Sequence, residues 1–186
     1  MSSAHRASPA PDVVLLRPSP LVFEYRVTKY DPAFRDASGA YRREEWTSFG
    51  DVGGTYGGEV LTEASYRRVE DAYVCSVLGF WREVGKPTLI ARGVEENGSG
   101  HRGPAEGSAI DEADLAPLIR AVLREEVWCR LESETCFLHF GWDYYAYVGV
   151  SSLCVASCAL AAAEGLFVDV MASPHHPAQA PGRSEA

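Results

Sequence analysis

One stretch in the last third of the chain, Cys136–Val150, constrains the fold more than any other part of the sequence. Its side chains alternate with a period of two, which is the period of a β-strand. The even-numbered positions carry almost only apolar atoms, whereas the odd-numbered positions include His139, Asp143 and two tyrosines. This alternation predicts a strand, or a bent pair of strands, with one face in the core and the other available for function.

Gly141 leaves the geometry beyond it open. A glycine can form a bulge or a turn, and a slip of one residue would exchange the two faces. In an unbroken strand, His139 and Asp143 would lie about 13 Å apart at about 3.3 Å per residue, too far apart to form a dyad. A turn at residues 141–143 would bring them together. Both alternatives stand at this point.

The length and charge of the chain narrow its possible partners. With 186 residues, 46% of them hydrophobic, the sequence predicts one domain of ordinary size with an apolar core. The net charge of −9 argues against binding to nucleic acid or to an anionic membrane, because both require a cationic surface. It favours a basic or neutral protein partner, although solubility alone also accounts for such a charge.

The cysteines and the first residues indicate a reduced, cytoplasmic environment. Five cysteines lack the spacing of a disulfide framework, and the N-terminal residues contain no apolar segment of a secretion signal. Neighbouring His175 and His176 lack a fixed second pair of ligands, so we expect no metal site. We also expect no cofactor, because no cofactor-binding motif is present.

The order of elements predicts an α+β fold. It reads β-α-β-α-β-β-(β)-α-β, which indicates a mixed, largely antiparallel sheet of about five or six strands with about three helices mainly on one face. The first strand is expected within Leu21–Tyr30. We expect a disordered or loosely attached leader at residues 1–20, one domain at 21–172 and a disordered tail at 173–186.

Two helices have defined expected starts. Thr62 can cap a helix that runs to Val84 and ends at Gly85, with Glu70 and Asp71 on its solvated side. A second helix is expected to begin after Asp114, because this start places Pro117 in the first turn, where a missing N–H is tolerated. A start at Asp111 would place the proline inside the helix and is therefore disfavoured.

A glycine-rich segment, Gly50–Gly58, admits two interpretations. It lacks both the Gly-Lys-Ser/Thr ending of a P-loop and the spacing of a dinucleotide-binding turn. We therefore favour a flexible or tightly turned connection over a phosphate-binding loop.

The candidate site residues belong to the central stretch. Trp142, Asp143, Tyr145 and Tyr147 are candidate binding residues, because Tyr and Trp supply stiff contact area and Asp143 can pair with a basic group. His139 and Asp143 are the candidates for an oriented base in a small hydrolase or transferase. Such an enzyme would show a pocket where both residues meet the Gly50–Gly58 loop, whereas a binding protein would show an exposed aromatic patch.

The run His139–Gly149, followed by Gly165-Leu166-Phe167-Val168, resembles small bacterial proteins of uncharacterised function, some of which are immunity proteins that neutralise toxins. The resemblance extends over about residues 22–171 and includes Trp46–Phe49 and Val69–Tyr73. It implies a bacterial cytosolic protein and carries over no catalytic residue. We therefore predict a non-enzymatic module that binds a protein, of immunity type, with the His139/Asp143 enzyme as the alternative.

Overall fold

The computed structural model describes residues 21, 23–98, 103–141 and 143–176. The expected leader, the candidate Trp142 and the tail beyond His176 lie outside the described residues. The elements in chain order are β1 (Phe23–Thr28), β2 (Thr55–Tyr56), β3 (Glu59–Val60), α1 (Glu63–Glu83), β4 (Leu89–Glu96), β5 (Ala109–Ile110), α2 (Glu112–Leu123), β6 (Val127–Glu132), β7 (Cys136–Phe140), β8 (Ala146–Val150), α3 (Val155–Ala163) and β9 (Phe167–Val170).

Within the described residues, seven strands form one sheet in the order β5-β4-β6-β7-β8-β1-β9, and every pairing in it is antiparallel. With three helices beside this sheet, the predicted α+β class is confirmed. The sheet has one or two strands more than predicted, because β5 adds a short edge that was not expected and the central stretch forms two strands, β7 and β8. The first strand, β1, lies inside the sheet between β8 and β9 rather than at an edge.

One hydrophobic core joins the three helices to the sheet. Buried side chains of α1, α2 and α3 join one hydrophobic cluster with the even-numbered residues of β7 and β8. The cluster includes Cys136, Leu138, Phe140, Val148 and Val150. The predicted apolar set of the central stretch is therefore the core face of the two central strands.

Helix α1 begins and ends where its local signals predict. The Thr62 side chain accepts a hydrogen bond from the Ser65 N–H at 3.1 Å, and Gly85 follows the helix with φ of +88°. The assignment of Glu70 to the solvated side is wrong, because Glu70 is completely buried. Its carboxylate pairs with Arg120 of α2 and with Arg124, which directly follows α2, so tertiary charge pairing stabilises a carboxylate that would otherwise be costly to bury.

The predicted start of α2 is also wrong. Asp111 is the residue that precedes the helix, the Asp114 N–H already donates to the Asp111 carbonyl at 3.0 Å, and Pro117 lies inside the helix. Pro117 cannot donate to the Ala113 carbonyl, which costs stability. The proline is exposed, and the buried residues of α2 lie elsewhere on the helix. Burial of Leu115, Leu118 and Ile119 therefore outweighs the local penalty.

The glycine-rich segment forms a tight hairpin. Strands β2 and β3 pair across Gly57 and Gly58, which both have positive φ, as a two-residue type I′ turn requires. Before them, the aromatic rings of Trp46 and Phe49 lie 5.3 Å and 4.9 Å from the ring of Tyr66 on α1. The segment is thus attached to the helix side of the molecule.

Candidate functional site

Strands β7 and β8 form a hairpin, which resolves the geometry that Gly141 left open. Phe140 pairs with Ala146, His139 pairs with Tyr147, and the Gly141 N–H donates to the Tyr145 carbonyl at 2.8 Å. Odd-numbered residues of both strands therefore share one face, opposite the helices. Asp143 is not on that face, because it belongs to the exposed turn.

Tyr144 shapes this hairpin from its core side. It adopts a positive φ of 61°, which is uncommon for a residue with a bulky side chain. Its carbonyl accepts a hydrogen bond from the Tyr73 hydroxyl of α1 at 2.6 Å, and the same hydroxyl accepts the Lys29 N–H at 2.7 Å. Packing against α1 thus holds the hairpin in a conformation that its local sequence disfavours.

The predicted open aromatic face is not open. Tyr147 is only 7% exposed, and His139 and Phe137 are buried as well. Tyr145 is half-buried, with its ring 5.2 Å from that of Tyr30 and the Arg26 guanidinium 5.1 Å from its centre. Of the candidate binding residues that the structure describes, Asp143 alone is exposed, and Tyr147 cannot be a contact residue while the face is covered.

The covering element is Met171–His176, which we call the C-terminal strap. The Ser173 N–H donates to Glu24 at 2.8 Å, and Arg130 donates to the His175 carbonyl at 3.0 Å. The His175 ring packs against both Trp128 and Tyr147. The structure thus differs from the disordered tail predicted from residue 173, because side chains of β1, β6 and β8 fix residues 173–176.

His139 pairs with residues other than Asp143. Its Nδ1 lies 2.9 Å from Ser173 Oγ, and its Nε2 lies 3.2 Å from Glu132 Oε1. Because a carboxylate only accepts hydrogen bonds, Nε2 carries the proton of the neutral ring, and the Ser173 hydroxyl donates to Nδ1. The dyad with Asp143 considered from the sequence is therefore not formed.

Burial keeps this imidazole neutral. It lowers the pKa of His139 to about 3, with His176, Arg130 and His175 contributing in the same direction. The contact with the Glu132 carboxylate acts in the opposite sense, and burial outweighs it. The Phe137 ring, stacked at 4.1 Å, completes the apolar surroundings of the ring. Gly149 permits this stacking, because a Cβ there would overlap the Phe137 ring.

Glu132, His139 and Ser173 follow one another as carboxylate, base and hydroxyl, as in a nucleophilic triad. The hydroxyl, however, also accepts the His175 N–H at 3.2 Å, and Ser173 is only 6% exposed. None of the cavities described below is lined by these residues. The arrangement therefore fastens the strap to the sheet and presents no accessible nucleophile.

A cleft opens beside the hairpin, where the end of β4 meets the end of α2. Three acidic residues, Glu95, Glu96 and Glu125, belong to its lining, as do the aromatic residues Trp128, Phe140 and Tyr144. We call it the acidic aromatic cleft. Its volume is about 80 Å³, which suits one side chain better than a whole ligand. Gly141, next to the hairpin residues singled out from the sequence, also lines it.

The carboxylate of Glu125 is placed by an unusual helix end. The Glu125 N–H donates to the Val122 carbonyl and the Glu126 N–H to the Ala121 carbonyl, which is a Schellman motif. Its left-handed position is usually a glycine, yet here Glu125 occupies it with φ of +60°. An acidic residue is also unfavourable at a helix C-terminus, where the dipole is negative. Both costs point to a role for the carboxylate outside helix stability.

A bulge places the other two carboxylates. The pairing of β4 with β6 shifts between Arg92 and Glu95, beside Gly93 with φ of +61°. Beyond the bulge, Glu95 and Glu96 pair with Trp128 and Val127. None of the three glutamates was predicted from the sequence as a site residue. The sequence signal that could have indicated this site is the acidic pair Glu125-Glu126 at the end of a helix, where basic residues are favourable.

Comparison with known proteins adds no relative. No family model, curated protein or solved structure matches the chain. Among the described residues, no group of three or more His, Cys, Asp and Glu is placed to hold a metal ion. In the same part of the chain, no helix combines the length and apolar character needed to cross a bilayer.

Proposed function

We propose that the protein is a non-enzymatic binding module for a basic protein, and that the acidic aromatic cleft receives an arginine or lysine side chain of that partner. The observation that carries the proposal is that Glu95, Glu96 and Glu125 line one cleft together with three aromatic residues. No cation among the described residues forms an ion pair with these three carboxylates. An external cation is therefore their natural complement.

The cleft matches both parts of a long basic side chain. Lysine and arginine have an apolar stem and a charged head, so the stem fits the aromatic walls while the head meets the carboxylates. A single exposed ion pair contributes only about 0.2–1 kcal/mol, too little to select a partner. Three carboxylates beside the negative end of α2 form a stronger site, and the cationic head can also contact the Trp128 ring.

The charge of the whole molecule supports the same partner class. A net charge of −9 attracts basic proteins over distances of about 10 Å at ordinary salt and speeds their encounter. Around the cleft, the exposed Asp143 lies in the same hairpin as Gly141 and Tyr144, which line it. Contact of the partner with Trp142 and Asp143 thus stays a prediction. The half-buried Tyr145 would lie at the margin of that contact surface.

The resemblance to immunity proteins supplies a candidate for the partner. A basic toxin would complement an acidic cleft and an acidic molecule, and binding alone would suffice to block it. The same resemblance implies a bacterial protein that is located in the cytoplasm, and this is part of the proposal. The alternative enzyme has less support, since His139 and Asp143 do not meet and Phe49, just before the Gly50–Gly58 segment, packs against Tyr66 of α1.

The test is affinity capture from native lysate with three matched forms of the protein. The first is wild type, the second is Glu95→Gln/Glu96→Gln/Glu125→Gln, and the third is Glu44→Gln/Glu59→Gln/Asp114→Asn. The third form alters three exposed acidic residues that do not line the cleft, and it loses the same charge. Circular dichroism establishes that each form is folded.

We expect a basic protein that wild type and the surface variant retain and that the cleft variant loses. Its affinity for the cleft variant should be at least about tenfold weaker, which corresponds to about 1.4 kcal/mol. Equal retention by the two triple variants would show that only net charge matters, and the cleft assignment would then fail. A wild-type protein that captures no basic partner would count against the function itself.

A further inference from the structure

A second cleft, on the helix side of the molecule, contains a buried lysine that the proposed function does not use. It lies where the end of β1 meets α1 and the turn before β9, and its volume is about 250 Å³. Lys29, Glu45, Trp46, Arg68 and Glu164 contribute to its lining. We call it the Lys29 cleft. Its size is just below the 300–1,000 Å³ of pockets for drug-sized ligands, so it suits a smaller molecule.

The amine of Lys29 is enclosed by two aromatic rings and one carboxylate. Its side chain is 8% exposed, and Nζ lies 4.2 Å and 4.0 Å from the ring centres of Tyr30 and Trp46. Glu45 Oε2, at 3.3 Å, accepts its one hydrogen bond within the described residues. The ring faces attract the ammonium, but only one of its three N–H donors has a hydrogen-bond acceptor among the described residues, so the charged form is satisfied only in part.

This environment favours the neutral amine more than water does. Burial lowers the pKa of Lys29 to about 8, although Glu45 and, more weakly, Asp51 favour the charged form. Arg68 and Glu164, the other charged groups of the cleft, carry opposite charges. An amine with a pKa of about 8 is roughly one-tenth neutral at pH 7, whereas one at the reference value of about 10.4 is neutral in about one molecule in 2,500. The neutral amine is the nucleophile.

We propose that Lys29 Nζ is a covalent attachment site, which takes a small aldehyde from the Lys29 cleft as an imine. The Nζ lone pair adds to the carbonyl carbon and forms a carbinolamine. The carbonyl oxygen then leaves as water with the two hydrogens of the neutral amine, and a carbon–nitrogen double bond remains. Glu45 is placed to take the proton from Nζ and return it to the departing hydroxyl. The step needs no oxidant or reductant.

The fold positions this amine more firmly than a surface lysine. The Lys29 N–H is held by the Tyr73 hydroxyl of α1, and the Tyr30 hydroxyl donates to the Trp46 carbonyl at 3.4 Å. The backbone at the amine and one of its aromatic walls are thereby fixed. The second lysine, Lys86, provides the contrast, because its side chain is 46% exposed and pairs with Glu112 on the surface.

The sequence makes the test direct, since Lys29 and Lys86 are its only lysines. The wild-type protein is treated with propionaldehyde and sodium cyanoborohydride, which reduces the imine to a stable propylamine, and peptide mass mapping follows each lysine. At pH 7 we expect Lys29 to react at least about tenfold faster than Lys86, with a rate that rises through about pH 8. A rate for Lys29 equal to or below that for Lys86 would overturn the proposal.

Variants separate the site from its surroundings. Lys29→Arg retains the positive charge and should lose the fast adduct, whereas Lys86→Arg should retain it. Glu45→Gln removes the carboxylate that favours the ammonium, so the midpoint of the rate profile should fall to lower pH. A midpoint that stays in place would contradict the assignment of Glu45 as the carboxylate that favours the ammonium. None of these results depends on the acidic aromatic cleft, so this proposal and the proposed function fail separately.

Discussion

At the scale of one residue, His139 shows that the face of the sheet on which a side chain lies does not determine whether that side chain is exposed to solvent. The alternation of the sequence places it correctly on the face opposite the core. Its exposure depends on the strap, which reaches it from more than thirty positions further along the chain and contributes Ser173. The result is a buried, neutral imidazole between Ser173 and Glu132 rather than an accessible base.

The depressed pKa of His139 predicts a loss of stability in mild acid. Its pKa is about 3 when folded and about 6.5 when unfolded, so between these values the unfolded chain binds more protons. The contribution of His139 to the free energy of unfolding is thus fully present above pH 6.5. Below that pH it falls by up to about 1.4 kcal/mol per pH unit. Urea unfolding from pH 7 to pH 5 measures this slope.

The control for that measurement is His139→Gln, which keeps groups that can donate and accept hydrogen bonds but does not titrate. Its free energy of unfolding should fall less than that of wild type over the same range. The other histidines are common to both proteins and cancel in the comparison. Parallel slopes for the two proteins would contradict the assignment of a buried, neutral His139.

At the scale of elements, the contact between α1 and α2 depends on one buried carboxylate. Arg124 binds Glu70 with Nε at 2.6 Å and with a terminal nitrogen at 2.8 Å, and Arg120 adds a third contact at 2.8 Å. Arg120 also pairs with the exposed Asp71. The two carboxylates are adjacent on α1 and share a partner, but they differ completely in burial.

This difference predicts unequal costs for two similar substitutions. Glu70→Gln leaves two guanidinium groups without their buried partner and should lower the free energy of unfolding by about 2–4 kcal/mol, since both arginines retain some access to water. Asp71→Asn should cost less than about 1 kcal/mol, because its side chain is 63% exposed. Thermal and urea unfolding of both variants measure the costs. Equal costs would show that Glu70 does not hold the helices together.

At the scale of the whole molecule, the strap closes the sheet on the face that the core does not use. It covers Phe137, His139 and Tyr147 and binds residues of β1 and β6. Both faces of β7 and β8 are buried as a result. The covered face is therefore not part of the proposed contact surface, which stays at the acidic aromatic cleft.

Two truncations test the strap. Ending the chain after residue 172 should expose the three side chains that it covers and lower the free energy of unfolding by about 2–4 kcal/mol, given about 1.5–3 kcal/mol for a fully buried aromatic side chain. Ending it after His176 retains every strap contact described here and should change stability little. Urea unfolding and binding of a hydrophobic dye distinguish the two. Similar loss in both would place the stabilising contacts beyond residue 176.

The sequence by itself determined the features that depend on neighbouring residues. The alternation of Cys136–Val150, the cap at Thr62 and the glycine after α1 each act within a few positions, so the strands, the helix and the α+β class were predictable. The exposure of the β7 side chains was not predictable, because the strap that covers them is distant from β7 in the chain. The predictions for Pro117 and Glu70 were wrong for the same reason, because contacts between elements outweigh local preference at both positions.

Tertiary structure alone decided the candidate sites. The acidic aromatic cleft combines the ends of β4 and α2 with the β7–β8 hairpin, and the Lys29 cleft combines β1, α1 and the turn before β9. No local pattern relates Glu95 to Glu125, or Lys29 to Trp46. Charges and rings from separate segments acquire a shared chemistry only when the chain brings them within a few ångströms. Only the tertiary structure fixes those distances.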